Sequence, residues 1–259
     1  MTLTAQQQAI KDRWVAARDD WSEAWEAVLA IHPEFVEATL GLFQVPWEKG
    51  HLSPKFKELC YLSWNAAATH MNLDGVRVHM RKAIELGATP QEILEVLELA
   101  ATLGIHTMNI GVPLLVEVLE ERGRTGPAPL TAYQEEQKAR FTELRGYWHE
   151  FWNDMLELDP EMFGAYTEFS TVPWRFGVLT PAEKELIYIS YDIASTHLYV
   201  PGTKLHIRNA LNHGATVEQV LEVMEIAVAL GLDDVTLAVP VMVEEFARAG
   251  RPVPGSTQR

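Results

Sequence analysis

The sequence predicts an all-α protein made of two tandem copies of one helical unit, and three observations carry that expectation. Residues 53–89, SPKFKELCYLSWNAAATHMNLDGVRVHMRKAIELGAT, recur as residues 180–216, TPAEKELIYISYDIASTHLYVPGTKLHIRNALNHGAT, at a constant offset of 127. The offset holds without a gap from Leu3-Thr4-Ala5, matched by Leu130-Thr131-Ala132, to Gly123, matched by Gly250, with about two positions in five identical. No stretch alternates apolar and polar residues with the period of two that a half-buried strand needs, whereas helix caps recur throughout. The chain therefore divides into a first repeat, residues 1–123, and a second, residues 130–250. A Gly/Pro linker joins them at 124–129, and a polar tail expected to fray follows at 251–259.

Each repeat is expected to hold about six helices. Thr4 is placed to N-cap a long amphipathic helix carrying Trp14, Trp21, Trp25 and Leu29. Pro33-Glu34 and Pro160-Glu161 match, and Val45-Pro46-Trp47, matched by Val172-Pro173-Trp174, reads as a turn whose Trp anchors packing or walls a pocket. Ser53-Pro54 and Thr180-Pro181 each set a capping residue before a proline at the first helical position. Thr89 with Glu92, and Thr216 with Gln219, are capping boxes, and Gly87 and Gly214 sit where a left-handed C-terminal cap belongs. Gly104 and Pro113, repeated as Gly231 and Pro240, punctuate the end of each half.

The charge excludes one class of partner. A net charge of −15 with no basic block argues against nucleic-acid binding, and the scattered acidic residues read as solvated helix faces. Cys60 is the single cysteine, so an internal disulfide and a CxxC redox pair are both impossible. The N-terminus lacks an apolar signal core and no later run reads as long enough to span a bilayer, so the expected setting is cytoplasmic without membrane attachment.

The repeated unit also carries the candidate chemistry. Glu58, Tyr61, Asn65 and Thr69 are spaced i, i+3, i+7 and i+11, which puts them within about 80° on one face of a helix expected over Pro54 to Thr69. The second copy gives Glu185, Tyr188, Asp192 and Thr196. Short hydrogen-bonding groups in a row on a mostly apolar helix fit a buried relay or the lining of a site; the alternative is a stripe facing water or an oligomer partner. His70 and His197 end that helix, and His79 and His206 lie on the next. Gly75 and Gly202, four residues before the latter pair, leave room beside the imidazole for a ligand or for close helix packing.

Two histidines and a carboxylate are a possible set for zinc or iron, but Glu58 and His70 on one straight helix would stand ~18 Å apart. The turn pairs His70/His79 and His197/His206 are the more reachable ligands. Arg77 and Arg81, matched by Lys204 and Arg208, are cations able to hold a substrate carboxylate, but they flank His79 on the opposite helix face, which favours a structural or surface role. Cys60 is matched by Ile187, which marks a core position. Two exchanges change charge at equivalent positions, Asn65 for Asp192 and His106 for Asp233, so the two copies are expected to have diverged.

The segments KELCYLSWNAAATH…GVRVHMRKAIELGATPQEILEVL and KELIYISYDIASTH…GTKLHIRNALNHGATVEQVLEVM resemble the carboxymuconolactone decarboxylase and alkylhydroperoxidase-D superfamily. The likeness covers about Ser53 to Glu120 in each repeat and leaves the Trp-rich leading helices outside. It implies two alkylhydroperoxidase-D-like repeats forming a pseudo-dimer, and, because single-repeat members form hexamers, it implies a homo-oligomer that is a trimer. The peroxidase branch carries Cys-x-x-Cys-x-x-x-His after the Glu. Here those cysteine positions are Asn72 and Gly75, or Tyr199 and Gly202, so thiol peroxidase chemistry is excluded.

The decarboxylase branch, in which Glu and His act without cysteines, is the nearer resemblance. It implies a lyase working on a small carboxylated molecule. His79 and His206 would be general acid/base groups, Glu58 and Glu185 their proton partners, and Tyr61, Tyr188, His70 and His197 would position substrate. No cofactor is expected, with a divalent metal on the His pairs as one alternative and a non-catalytic ligand-binding or assembly protein as another.

Overall fold

The computed structural model describes residues 3–18 and 20–254, and the regular elements among these are all helical. The first repeat holds α1 (Ala5–Arg18), α2 (Glu23–Ile31), α3 (Pro33–Lys49), α4 (Pro54–Ala66), α5 (Leu73–Glu85), α6 (Pro90–Ala101) and α7 (His106–Glu121). The second holds α8 (Ala132–Arg145), α9 (Asn153–Leu158), α10 (Pro160–Ser170), α11 (Val172–Phe176), α12 (Pro181–Asp192), α13 (Val200–Asn212), α14 (Val217–Val228) and α15 (Asp233–Arg248). Residues 255–259, most of the tail expected to fray, lie outside the described residues; Val253 before them is buried.

Local chemistry sets most boundaries as the sequence implies. Ser53 caps α4 by accepting from the Phe56 N–H, and Thr180 forms a full capping box with Glu183. The Thr89–Glu92 and Thr216–Gln219 boxes are both closed, and Gly87 and Gly214 take left-handed φ of 88° and 91°.

Four expectations are corrected. The long Trp-bearing helix is two helices: the Trp14 Nε1–H donates to Asp20 across the break at 2.8 Å, and Ser22 caps α2. Helix α4 stops at Ala66, so Thr69 and Thr196 are exposed turn residues rather than the end of a stripe. Pro46 lies inside α3, and Pro113 and Pro240 lie inside α7 and α15, so none of the three ends a helix. Finally, 3-10 turns at Thr102–Ile105 and Ala229–Leu232 do not break the chain's course. Pro90–Glu121 and Val217–Arg248 are therefore continuous helical runs of 32 residues, long and apolar enough by composition alone to cross a membrane.

The core is shared between the repeats. Helices α4 and α12 pack on one another at its centre, flanked by α6 and α14, and Leu59, Cys60, Leu62, Ile187, Ile189, Val96 and Val223 are fully buried there. The end of each repeat crosses to the other's Trp-rich lead. Leu232 and Val235 pack against the cluster of Trp14, Trp25 and Leu29, while Ile105 and Val112 join Phe141, Trp152 and Phe163.

Two buried ion pairs tie the halves together. Lys57 Nζ meets Glu222 Oε1 at 2.8 Å and donates to the Pro46 carbonyl at 2.6 Å, while Glu222 accepts from the backbone N–H groups of His51 and Leu52. The equivalent pair is Lys184–Glu95 at 3.0 Å, with Glu95 accepting from Val178 and Leu179 N–H. Removing one partner leaves the other charge buried and uncompensated. Lys57→Met is expected to lower unfolding free energy by about 3–5 kcal/mol, and Lys57→Met/Glu222→Leu to recover only part of it, because the His51 and Leu52 N–H groups then lose their acceptor. Chemical denaturation monitored by circular dichroism checks both.

Candidate active site

Two related sites form where α5 folds back along α4 and α13 along α12. A tight turn makes this possible: the Asn72 N–H reaches the Asn65 carbonyl at 3.0 Å, and the Tyr199 N–H the Asp192 carbonyl at 2.9 Å. Both turns hold a non-glycine residue in the left-handed region, Met71 at φ 53° and Leu198 at φ 49°. Close packing explains the glycines that follow, and Gly75 also lines the cavity of the first site. A Cβ on Gly75 would meet Asn65 Oδ1 at 1.8 Å, and one on Gly202 would meet Asp192 Oδ2 at 2.4 Å.

In the first site the fold-back brings Glu58 to His79, with Oε2 and Nδ1 2.6 Å apart. Tyr61 stacks on the imidazole, ring centres 4.4 Å apart and planes within 5°. With Nδ1 committed to the carboxylate, Nε2 is left for chemistry. His70 does not join His79. Its Nε2 bonds Asp233 Oδ2 at 2.6 Å, and Asn72 Nδ2 donates to the same oxygen at 2.7 Å. Asp233 comes from the far repeat.

Residues the motif pattern missed complete this site. Arg18, at the end of α1, lies among Trp14, Phe43 and Tyr61, and its Nη2 pairs with Asp20 at 3.0 Å. Burial works to lower the Arg18 pKa, and Asp20 and Tyr61 outweigh it and hold the charge. Burial raises the Tyr61 hydroxyl's pKa and Arg18 opposes the shift. Arg18, Tyr61, Trp64, His79 and Asp233 line a cavity of about 460 Å³. One signal was available for Arg18: it is matched by Arg145 at the repeat offset, inside leading helices that the motif does not reach.

The second site keeps the core of this arrangement. Glu185 Oε2 and His206 Nδ1 are 2.5 Å apart, Tyr188 stacks on His206 at 4.3 Å, and Asn209 donates to Glu185 Oε1. Arg145 lies 4.6 Å over Trp174 and reaches the Tyr188 hydroxyl, which also accepts from Trp174 Nε1. Burial works to lower the Arg145 pKa, and Tyr147, Tyr188 and Glu185 outweigh it.

The surroundings differ. His197 meets His106 of the far repeat, Nε2 to Nδ1 at 2.6 Å, rather than His206. Tyr199 stacks on His106 at 3.8 Å. Asp192 is fully buried beside them, and burial, then the neighbouring Glu185 charge, pushes its carboxyl well above the usual range. Burial, then His197 and His206, pushes the His106 pKa down to about 3. The turn pairs read from the sequence as metal ligands are thus separated, each histidine having another partner. The charge exchanges seen in sequence, Asn65 for Asp192 and Asp233 for His106, fall in these two sites.

Cys60 belongs to neither. It is fully buried in the shared core, and burial, then the charges of Glu183 and Glu222, raises its thiol pKa. Arg77, Arg81, Lys204 and Arg208 are exposed, as their helix face implies.

The Arg18–Asp20 pair gives a signed pH dependence. Burial alone would raise the Asp20 pKa from 3.8; Arg18 and Lys82 outweigh it and lower it. Its contribution is therefore present above pH 3.8 and lost as pH falls through the lowered folded-state value. At pH 7 Asp20→Asn is expected to cost about 1–3 kcal/mol. The gap to the unsubstituted protein should close in strong acid, which thermal unfolding across pH checks.

The model of the carboxymuconolactone decarboxylase family matches residues 33–107 and 160–242, one segment in each repeat. A crystal structure from Burkholderia xenovorans, titled as a candidate gamma-carboxymuconolactone decarboxylase subunit, superposes with a TM-score of 0.91 at 45% identity, over 94% of this chain and 98% of that one. No curated protein matches the chain.

Proposed function

The chain belongs to the carboxymuconolactone decarboxylase family, and we propose that it is a cysteine-independent acid/base enzyme of lyase type acting on a small carboxylated substrate in the first site. One observation carries the reading: the Glu58-oriented, Tyr61-stacked imidazole of His79 lies on the wall of a cavity sized for a small organic molecule. Glu58 accepts from Nδ1–H, so the Nε2 lone pair is the proton carrier.

In a decarboxylation the bond from carbon to the carboxylate breaks and CO2 leaves. The electron pair moves into a conjugated carbonyl as an enolate. The Nε2 lone pair, having first taken up a proton from solvent as Glu58 holds the resulting imidazolium at Nδ1, then delivers that proton to carbon, and the ring returns to its neutral form. The aromatic wall of Trp14, Trp25, Phe43 and Trp64 keeps the enolate from bulk water, and Arg18 supplies the positive edge for an oxygen anion. Arg18 faces Asp20, Asp74 and Asp233 around the same cavity, which favours a substrate with one carboxylate over a multiply charged one.

His79→Ala is expected to lower kcat/KM for CO2 release by about 10²–10⁴, with His206→Ala costing far less. A panel of mono- and dicarboxylated lactones and keto acids, assayed for CO2 release and for deuterium uptake at carbon, provides the measurement. Equal losses in the two variants would refute the assignment to the first site.

Assembly into a trimer is part of the proposal. Ile110, Leu114 and Leu115 on α7, and Leu237 and Val241 on α15, leave apolar side chains in solvent, which supports burial against further copies. Light scattering should give three chain masses, falling to one in Leu115→Glu/Val241→Glu.

A further inference from the structure

We propose that the second site binds one divalent transition-metal ion, of the zinc or cobalt class, through His106, Asp192 and His197. The inference goes beyond the acid/base reading and concerns the other site. Its starting point is an unsatisfied group: both carboxylate oxygens of Asp192 are buried without a hydrogen-bond partner, and its side chain has 0% exposure. Leaving such oxygens unpaired is costly, and a cation is the partner that satisfies both.

Three imidazoles surround this carboxylate. His106 Nε2 stands 3.8 Å and His197 Nε2 4.0 Å from Oδ1, and His206 Nε2 stands 4.0 Å from Oδ2. These separations are too long for hydrogen bonds. They suit atoms arranged around a common centre: with bonds of about 2.0–2.1 Å, ligands on a tetrahedron sit roughly 3.3 Å apart. His106, Asp192 and His197 each offer one ligand atom within 4.8 Å of the others, and binding an ion exchanges the hydrogen bond between His106 Nδ1 and His197 Nε2 for coordination. His206 already has the orientation of a ligating histidine, its Nδ1 held by Glu185 and its Nε2 turned to the cluster. His197, the least buried of the three ligands, gives the ion a way in.

The first site shows why only one ion is expected. There Asn65 replaces Asp192 and donates to the Tyr61 carbonyl at 2.8 Å, and Asp233 replaces His106. Asp233 is already satisfied by His70 and by Asn72, whose position Tyr199 fills in the second site without donating to Asp192. In the first site the carboxylates of Glu58 and Asp233 are both paired, although Asn65 Oδ1 and the Tyr61 hydroxyl are buried without partners; the second site leaves a carboxylate open among imidazoles.

Full-length protein, stripped with a chelator and dialysed, is titrated with Zn²⁺ by calorimetry and with Co²⁺ by visible absorption, circular dichroism confirming that each variant is folded. One equivalent per chain is expected, with a ligand-field band on Co²⁺ addition. His106→Ala and Asp192→Asn should each weaken binding by about 100-fold or more, while His70→Ala leaves one equivalent bound. Asp192→Asn is isosteric and copies the Asn65 of the first repeat, so it decides the matter if His106→Ala fails to fold. Absence of stoichiometric binding overturns the proposal. So does Asp192→Asn binding as tightly as the unsubstituted protein, or loss of the ion in His70→Ala. Failure of His79→Ala to affect catalysis would leave these titrations unchanged, so the two readings fail separately.

Discussion

The crossed ion pairs Lys57–Glu222 and Lys184–Glu95 are the constraint on which the rest of the molecule depends. Each lysine lies next in sequence to the glutamate that holds a site histidine, Glu58 or Glu185. On a helix, neighbours point about 100° apart, so fixing the lysine against the other repeat fixes the glutamate toward its own imidazole. The cost of burying charge is met by backbone N–H groups on each Glu and backbone carbonyls on each Lys. A slip of α4 against α14 would leave these charges unpaired, so the register of the two halves is held tightly. The same register sets where Tyr61 and Tyr188 meet the stacked histidines.

Exchange of the terminal helices gives each site a residue from the other repeat. Asp233 reaches His70, and His106 reaches His197. A substitution in one repeat therefore alters the chemistry of the opposite site. This couples the two charge exchanges: Asn65 meets an environment containing Asp233, and Asp192 meets one containing His106. The first site pairs both of its carboxylates, Glu58 with His79 and Asp233 with His70, and keeps a cavity beside His79. The second gathers imidazoles around a buried carboxylate. Duplication has in this way given one scaffold two environments around the same Glu-His-Tyr core.

The sequence by itself determined the helical class, the repeat and most helix ends, because these rest on local chemistry. Thr89 with Glu92 and Gly87 with its positive φ act within a few residues of themselves. The Glu, Tyr and His of the site were legible for a similar reason: their spacing on two successive helices recurs at one fixed offset. Tertiary structure decided who meets whom. Helix geometry alone kept Glu apart from the histidines; the fold-back over Met71 and Leu198 brings Glu58 to His79, 21 residues on, and leaves His70 to a partner 163 residues away. Arg18 enters from a leading helix outside the motif, and His106 lies 91 residues from His197. No periodicity encodes such meetings, because they follow from how α4 and α12 pack and from which repeat receives each terminal helix.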